Sequence, residues 1–219
     1  MTALTLSSHP ACPLCDSPAH WFHDDGKRPY FQCPGCALVH VPRAWHLARQ
    51  DEKAVYDQHE NHVQDPGYRA FLSRLAQPLL ERLPANSRGL DFGCGPGPAL
   101  AAMLGEQGHA VALYDLYYAP HEDVFQQQWD FITATEVVEH LGQPRIELER
   151  LWQCLKSGGW LALMTKRVTS PQAFATWHYK NDPTHISFFS ESTFEWLAAH
   201  WQAELDVVAN DVVILRKPA

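Results

Sequence analysis

Glu136-Val137-Val138-Glu139-His140 sets two carboxylates and an imidazole at i, i+3 and i+4, a spacing that on a helix is one face. Groups so close can share a proton, or hold a hard divalent cation with water completing its shell. Downstream, Trp177-His178-Tyr179-Lys180-Asn181-Asp182 gathers aromatic, imidazole and carboxylate groups suited to a planar or polar small molecule, and His185 follows in Asp182-Pro183-Thr184-His185. Without a metal, His178 and His185 are the candidate general bases. For any one of the 13 histidines, however, satisfaction by backbone hydrogen bonds is the commoner fate. The third constellation is sulfur: Cys12-Pro13-Leu14-Cys15 and Cys33-Pro34-Gly35-Cys36. Each C-x-x-C can wrap a tight turn around a cation, and two such turns complete a tetrahedral thiolate shell.

Between the cysteine pairs, His20-Trp21-Phe22-His23 and Pro29-Tyr30-Phe31-Gln32 read as strands joined by an Asp24-Asp25-Gly26-Lys27 hairpin turn. This is the pattern of a zinc ribbon over residues 1–42, with Cys12, Cys15, Cys33 and Cys36 as ligands of a structural Zn²⁺. Met1 to Pro10 lacks a charged start and a long apolar core, so no signal peptide is expected and disulfides are disfavoured. Rubredoxin-like iron uses the same four ligands. A redox dithiol is the remaining alternative, and two pairs at ribbon spacing favour a metal over it. Four thiolates leave no open coordination position, so the site should stabilise the fold and do no chemistry. Cys94 and Cys154 are expected to pack in the core.

A ligand-holding loop is expected at Asp91-Phe92-Gly93-Cys94-Gly95-Pro96-Gly97, between a short strand at Arg88-Gly89-Leu90 and a helix from Pro98 to Leu104. Glycines at alternate positions let the backbone turn sharply and let a ligand approach closely. Pro98 suits the first turn of the helix. Gly108 should stop that helix, and Ala110-Val111-Ala112-Leu113-Tyr114 should form a second strand ending at Asp115. An acidic residue about twenty positions after the glycines is where a ribose hydroxyl pair is accepted. The nicotinamide fingerprint G-x-G-x-x-G fails, because its third glycine falls on Pro98.

From about Leu83 onward the chain resembles class I S-adenosyl-L-methionine (SAM) methyltransferases. The Asp-x-Gly-x-Gly-x-Gly run is similar to their first motif. Asp130 to Glu136 is similar to their fourth strand, and Leu155-Lys156-Ser157-Gly158-Gly159-Trp160 to the turn into their fifth. The resemblance implies an α/β fold with a Rossmann-like, mostly parallel sheet. It also implies that Gly93, Cys94, Gly95 and Gly97 meet the methionyl part of SAM while Asp91 orients the loop. Asp115 would bind the ribose, with Leu116 beside it, and Thr135 and Glu136 would line the same edge. Tyr56 and His59 fall where related enzymes fold a lid over the cofactor. The Glu136/Glu139/His140 cluster with His185 is similar to metal-assisted O-methyltransferases of ubiquinone-precursor phenols and of small-RNA 2′-hydroxyls. That similarity implies catalytic roles for Glu139, His140 and His185 and a second, divalent cation; many class I enzymes carry Glu-His here with no metal.

The elements that must position these groups follow from periodicity. Ala44 to Asn61 is polar and predicts a helix; after Asp65-Pro66-Gly67, Tyr68, Phe71, Leu72, Leu75, Leu79 and Leu83 predict another, which Pro78 should kink or divide. Residues 43–83 thus read as a helical linker or lid, and 84–219 as the SAM domain. Strands and helices then alternate, and a hairpin about Asn210-Asp211 closes the sheet.

Net charge is −8, from 17 basic and 25 acidic side chains, which argues against broad nucleic-acid binding while leaving a local patch open. No apolar run approaches the ~20 residues of a membrane span, and a cytoplasmic protein is the expectation. The expected partner is a small-molecule methyl acceptor, oxygen favoured; no feature sets an oligomeric state. An RNA methyltransferase docking through the ribbon would need a basic stripe through Arg43, Arg49, Arg69 and Arg74. A SAM-binding scaffold without catalysis is the third reading.

Overall fold

The structure is a computed structural model that describes residues 9–58 and 62–219. The leading segment 1–8 and the lid candidate His59 lie outside the described residues. The two cysteine turns are built alike. In each, the N–H of the first cysteine donates to a carbonyl five residues on (Cys12 to Ser17, Cys33 to Leu38). Each turn closes on a residue in the left-handed region, Asp16 (φ 60°) and Ala37 (φ 60°). The hairpin between them is β1 (His20–Asp24) and β2 (Pro29–Gln32), antiparallel, with Asp24 and Asp25 carboxylates accepting from the N–H groups of Gly26 and Lys27.

A short strand, β3 (Val39–His40), pairs with β2 and then, across most of the chain, with β8 (Ser187–Phe188). The cysteine-rich hairpin therefore shares a four-stranded sheet with the C-terminal half. Two polar contacts reinforce this. Arg145 pairs with Asp16 on the first cysteine turn. Arg28, only 8% exposed, donates to three carbonyls of one distant loop: Lys180 at 2.7 Å, Asp182 at 2.8 Å and Pro183 at 2.9 Å.

The linker carries helix α1 (Arg49–Tyr56), preceded by a single 3-10 turn at Arg43–Trp45, so the predicted helix is real but shorter. Helix α2 (Pro66–Leu80) starts on an Asp65 cap whose side chain accepts from the Tyr68 N–H. Pro78 does not divide it: the proline sits in the last turn, and the helix ends two residues later.

The second sheet has the order β5-β4-β6-β7-β10-β9. Strands β4 (Arg88–Phe92), β5 (Ala110–Tyr114), β6 (Trp129–Thr135) and β7 (Leu155–Met164) run parallel. Strands β9 (Glu204–Val207) and β10 (Val212–Arg216) close it antiparallel, with Asn210 and Asp211 central in a turn joined by the Val212 N–H to Ala209 carbonyl bond, 3.4 Å. Alternate residues face opposite layers. Phe131, Ala162, Met164 and Ile214 pack with Leu72, Leu75 and Leu79 of α2 and Leu100 and Leu104 of α3 (Ala99–Glu106). Ile132, Leu161, Leu163 and Leu215 pack on the other side with Leu148 and Leu151 of α4 (Pro144–Gln153) and Phe194 and Leu197 of α6 (Glu191–Trp201). Cys12, Cys33 and Cys36 belong to this same second core. Ser190 caps α6 in a reciprocal capping box with Thr193. Among the described residues no helix is long and apolar enough to cross a membrane.

Replacing Arg28 with alanine removes a donor from three loop carbonyls at once, leaving Pro183 without one, and should lower stability by about 2–4 kcal/mol in urea unfolding. Arg28→Lys should recover only part, because an ammonium cannot span the three acceptors that a guanidinium fork reaches.

Candidate active site

Chain order reverses about β4: its successor β5 lies on one side and β6 on the other. Ligands in open α/β sheets sit at that switch, beyond the carboxyl ends of the strands. The Gly93–Gly97 loop leaves β4 there. Gly93 (φ +73°) and Gly95 (φ +62°) occupy the left-handed region. A Cβ on Gly93 would lie 2.4 Å from Val137 Cγ2, whereas one on Gly95 would meet nothing within 4 Å. Gly93 is thus required by packing, and Gly95 faces open space a ligand can use. Pro98 serves as the N-cap of α3 and not as its first turn, a one-residue shift.

Asp115 faces this loop. Its Oδ2 accepts from the Gly95 N–H at 3.0 Å, and its Oδ1 accepts from the N–H groups of Tyr117 (2.8 Å) and Tyr118 (3.1 Å). Leu116 beside it is half-exposed. The connection on to β6 holds one 3-10 turn, Glu122–Gln126, and no strand. Asp91 is buried under the loop, accepting from Thr133 Oγ1 at 2.8 Å, and burial pushes its carboxyl up to about 7. Burial also pushes the Cys94 thiol up to about 12. Helix α1 closes over this edge. Tyr117 and Tyr118 hydroxyls donate to Glu52 and Asp57, and the Tyr56 ring lies 5.8 Å from Tyr117 and 5.3 Å from His140.

Glu136, Glu139 and His140 do not share a helix face. Glu136 remains attached to the sheet, its N–H donating to the Met164 carbonyl at 2.8 Å, and then turns through φ 53°. Only Val138–His140 forms a 3-10 turn. What joins the glutamates is Tyr179, whose hydroxyl lies against Glu139 Oε1 and 3.3 Å from Glu136 Oε2. A phenol has one hydrogen, so its second carboxyl contact needs a proton on the glutamate. Burial raises the pKa of both glutamates, and for Glu136 the Glu139 charge adds to it. Glu136 Oε1 and Glu139 Oε2 are buried without a hydrogen-bond partner.

His140 and His185, far apart in sequence, meet because backbone holds their segments together. The Ile186 N–H donates to the Glu139 carbonyl at 2.8 Å, and His140 Nδ1 lies 3.2 Å from the Thr184 carbonyl. The two rings are 4.7 Å apart. His185 Nδ1 is engaged by the Tyr179 carbonyl at 2.7 Å, which leaves Nε2 as its ligand atom. One ligand atom each from Glu139, His140 and His185 falls within 4.8 Å of the others. Burial, with the neighbouring His140, lowers the His185 pKa to about 4, so the ring is neutral near pH 7, as a ligand or base must be. His178 stands apart, exposed, with Nε2 3.3 Å from Lys166 Nζ.

The cysteines form the other cluster. Sulfur separations of 3.5 Å (Cys12–Cys36) and 3.3 Å (Cys15–Cys33) approach the ~3.8 Å edge of a tetrahedron with metal–sulfur bonds near 2.3 Å. Tyr179, Lys166 and Arg28 are the site residues that sequence reasoning missed as individuals. Tyr179 was visible only as part of its aromatic run, and Arg28 carried no signal beyond its place after a turn.

This sheet with its antiparallel end and its glycine loop at the switch point is the class I methyltransferase fold. Residues 60–210 match the family model described as a methyltransferase domain, and the chain belongs to that family. Among solved structures it is similar to a SAM-dependent methyltransferase from Archaeoglobus fulgidus, with TM-score 0.52 and 14% identity over 68% of this chain and 94% of that one. It is also similar to the 1,6-didemethyltoxoflavin-N1-methyltransferase of Burkholderia thailandensis, solved with 1,6-didemethyltoxoflavin and S-adenosylhomocysteine. There the TM-score is 0.51 and the identity 16%, over 91% of this chain and 99% of that one. At these identities the likeness is one of fold. No curated protein matches the sequence.

Gly93→Ala should cost about 1–3 kcal/mol, from a strained φ and the Val137 contact together. Adding Val137→Ala should return only the contact's share, as read in paired urea melts. Asp91 supplies a pH test. Its folded pKa of about 7 lies above the ordinary 3.8, so its contribution is fully present below about 4, falls as pH rises, and levels off above about 7. Asp91→Asn should remove that slope from the pH dependence of unfolding.

Proposed function

We propose that this methyltransferase binds SAM at the Gly93–Gly97 loop and transfers its methyl group to a hydroxyl of a small-molecule acceptor. The observation that carries the reading is the convergence of Glu139, His140, His185 and the Tyr179 hydroxyl beside that loop. Gly93, Cys94, Gly95 and Gly97 would hold the methionyl part, with Asp91 beneath. Asp115 would take the ribose hydroxyls and Leu116 would cover the adenosine side. Tyr56 would close the lid, and Thr135 and Glu136 would line the edge toward the acceptor.

In the reaction the acceptor oxygen attacks the methyl carbon in line with the carbon–sulfur bond. That bond breaks, its electron pair stays on sulfur, and the acceptor's proton leaves to a base. Alignment supplies much of the rate. With no cation on its Nε2, neutral His185, held by the Tyr179 carbonyl, is the base, and the Tyr179 hydroxyl and the glutamates are further proton carriers in the same cluster. His178 would serve at the rim of the acceptor site. Glu139, His140 and His185 are also a fitting donor set for a divalent cation, since Glu139 Oε2 is buried without a partner. Such an ion would lower the acceptor hydroxyl's pKa as a Lewis acid. The cysteine cluster fits structural Zn²⁺ by geometry and donor chemistry.

The small-molecule reading is supported over RNA by the arginines. Arg69 pairs with Glu106, Arg74 with Asp211 at 2.7 Å, and Arg49 lies over the Tyr117 ring, so two of the four arginines are neutralised by carboxylates and a third is engaged by a ring.

Incubating a cell extract with the enzyme and methyl-labelled SAM should put label into the small-molecule fraction. Label in RNA, or none, would contradict the proposal. His185→Ala and Tyr179→Phe should each cut labelling about 10²–10⁴-fold with S-adenosylhomocysteine affinity kept. Metal analysis should find at least one zinc per chain, and any second ion should be lost in the His140→Ala/His185→Ala variant.

A further inference from the structure

A groove of about 820 Å³ lies where the cysteine-rich hairpin faces the connection between β7 and α5 (Pro171–Ala175). That volume is in the range of small-molecule sites. Phe22 and Gln32 come from the hairpin side, Lys166 and Arg167 from the end of β7, with Trp177 and Ser190 completing the wall. We propose that this groove is the acceptor site and that it takes an acceptor carrying a phosphate or carboxylate group. The proposal rests on the methyl-transfer reading and adds the acceptor's chemical class.

Position is the first argument. Lys166 lines the groove while its Nζ lies 5.1 Å from the centre of the Tyr179 ring, and its charge acts on Glu136. Trp177, also on the wall, packs 5.0 Å from Tyr179. Tyr179 in turn reaches both glutamates, and the Val137 side chain beside Glu136 abuts Gly93. The groove is therefore joined through Lys166, Trp177 and Tyr179 to the glutamates beside the glycine loop.

Charge is the second. Lys166 and Arg167 are consecutive and half-buried, and among the described residues neither forms an ion pair. Arg167 donates from Nη2 to the Ala209 carbonyl at 2.9 Å, and its Nη1 has no hydrogen-bond partner. Two carboxylates also line the groove. Asp211 is neutralised by Arg74 at 2.7 Å, and Glu191 lies exposed at the start of α6. In a chain of net charge −8, two adjacent unneutralised cations beside the reacting groups are a local anion site. The indole of Trp177 adds a flat apolar wall next to them.

The hairpin gains a role from this. It forms one wall, and the Arg28 bonds hold that wall against the loop carrying Tyr179 and His185.

The test is calorimetric titration of the full-length, zinc-loaded protein, saturated with S-adenosylhomocysteine, with phenyl phosphate, benzoate and uncharged benzyl alcohol. At least one anion should bind about tenfold or more tighter than benzyl alcohol, and which anion does so names the source of the charge. Arg167→Gln and Lys166→Gln should each weaken it about tenfold, Arg167→Lys should restore most of it, and added salt should weaken it. S-adenosylhomocysteine affinity should be equal in all four proteins. Equal binding of charged and neutral probes, or anion binding unchanged in Arg167→Gln, would overturn the proposal. Failure to bind S-adenosylhomocysteine would count against the methyl-transfer reading and leave the anion result readable by itself.

Discussion

One buried guanidinium ties the two ends of this molecule together. Arg28 sits at the tip of a hairpin organised by two cysteine turns, and it holds the carbonyls of a loop near the other end of the chain. That loop supplies Tyr179 and His185. The same junction is reinforced by the β3–β8 pairing and by cysteines that share a core with α4 and α6. A cysteine-rich module built this way braces the loop that carries Tyr179 and His185. Its loosening would free that loop.

Held in place, the loop completes a centre whose parts would be unfavourable singly. Glu136 adopts a left-handed backbone, a conformation that non-glycine residues enter at a cost. Two carboxyls with raised pKa values, Glu139 buried and Glu136 half-buried, meet at the Tyr179 hydroxyl, each with a buried oxygen that lacks a partner. Strain and unsatisfied polarity concentrated at a strand's carboxyl end, beside a glycine loop, are what a site prepared for ligands looks like. The remainder of the sheet is conventional by contrast, with alternate residues filling two apolar layers.

Much of this was legible in the sequence because the signals are local. The cysteine turns, the hairpin between them, the glycine loop with its following helix, and Asp115 at the end of the next strand all depend on neighbours within a few residues. The Ser190 cap and the closing hairpin are equally local. What escaped depends on distance. The i, i+3, i+4 spacing of Glu136, Glu139 and His140 suggested a helix face, yet Glu136 stays bound to Met164 in the sheet and only a single turn follows. The grouping with His185 survives for another reason, the backbone bond from Ile186 to Glu139. Pro78 looked like a breaker because a pattern cannot tell an interior turn from a last one. Two-residue strands such as β3 and β8 carry no periodicity, so the joining of hairpin and enzyme was invisible until the chain was folded.

On the reading proposed above, one chamber, between the glycine loop and the hairpin-braced loop, holds SAM facing Glu136 and Tyr179. The decisive experiment is a crystal structure of the zinc-loaded protein soaked with S-adenosylhomocysteine. Ribose hydroxyls should lie within about 2.6–3.2 Å of the Asp115 carboxylate, with the thioether sulfur turned toward Tyr179. A cofactor bound elsewhere, or a Gly93–Gly97 loop left empty at saturating S-adenosylhomocysteine, would contradict it.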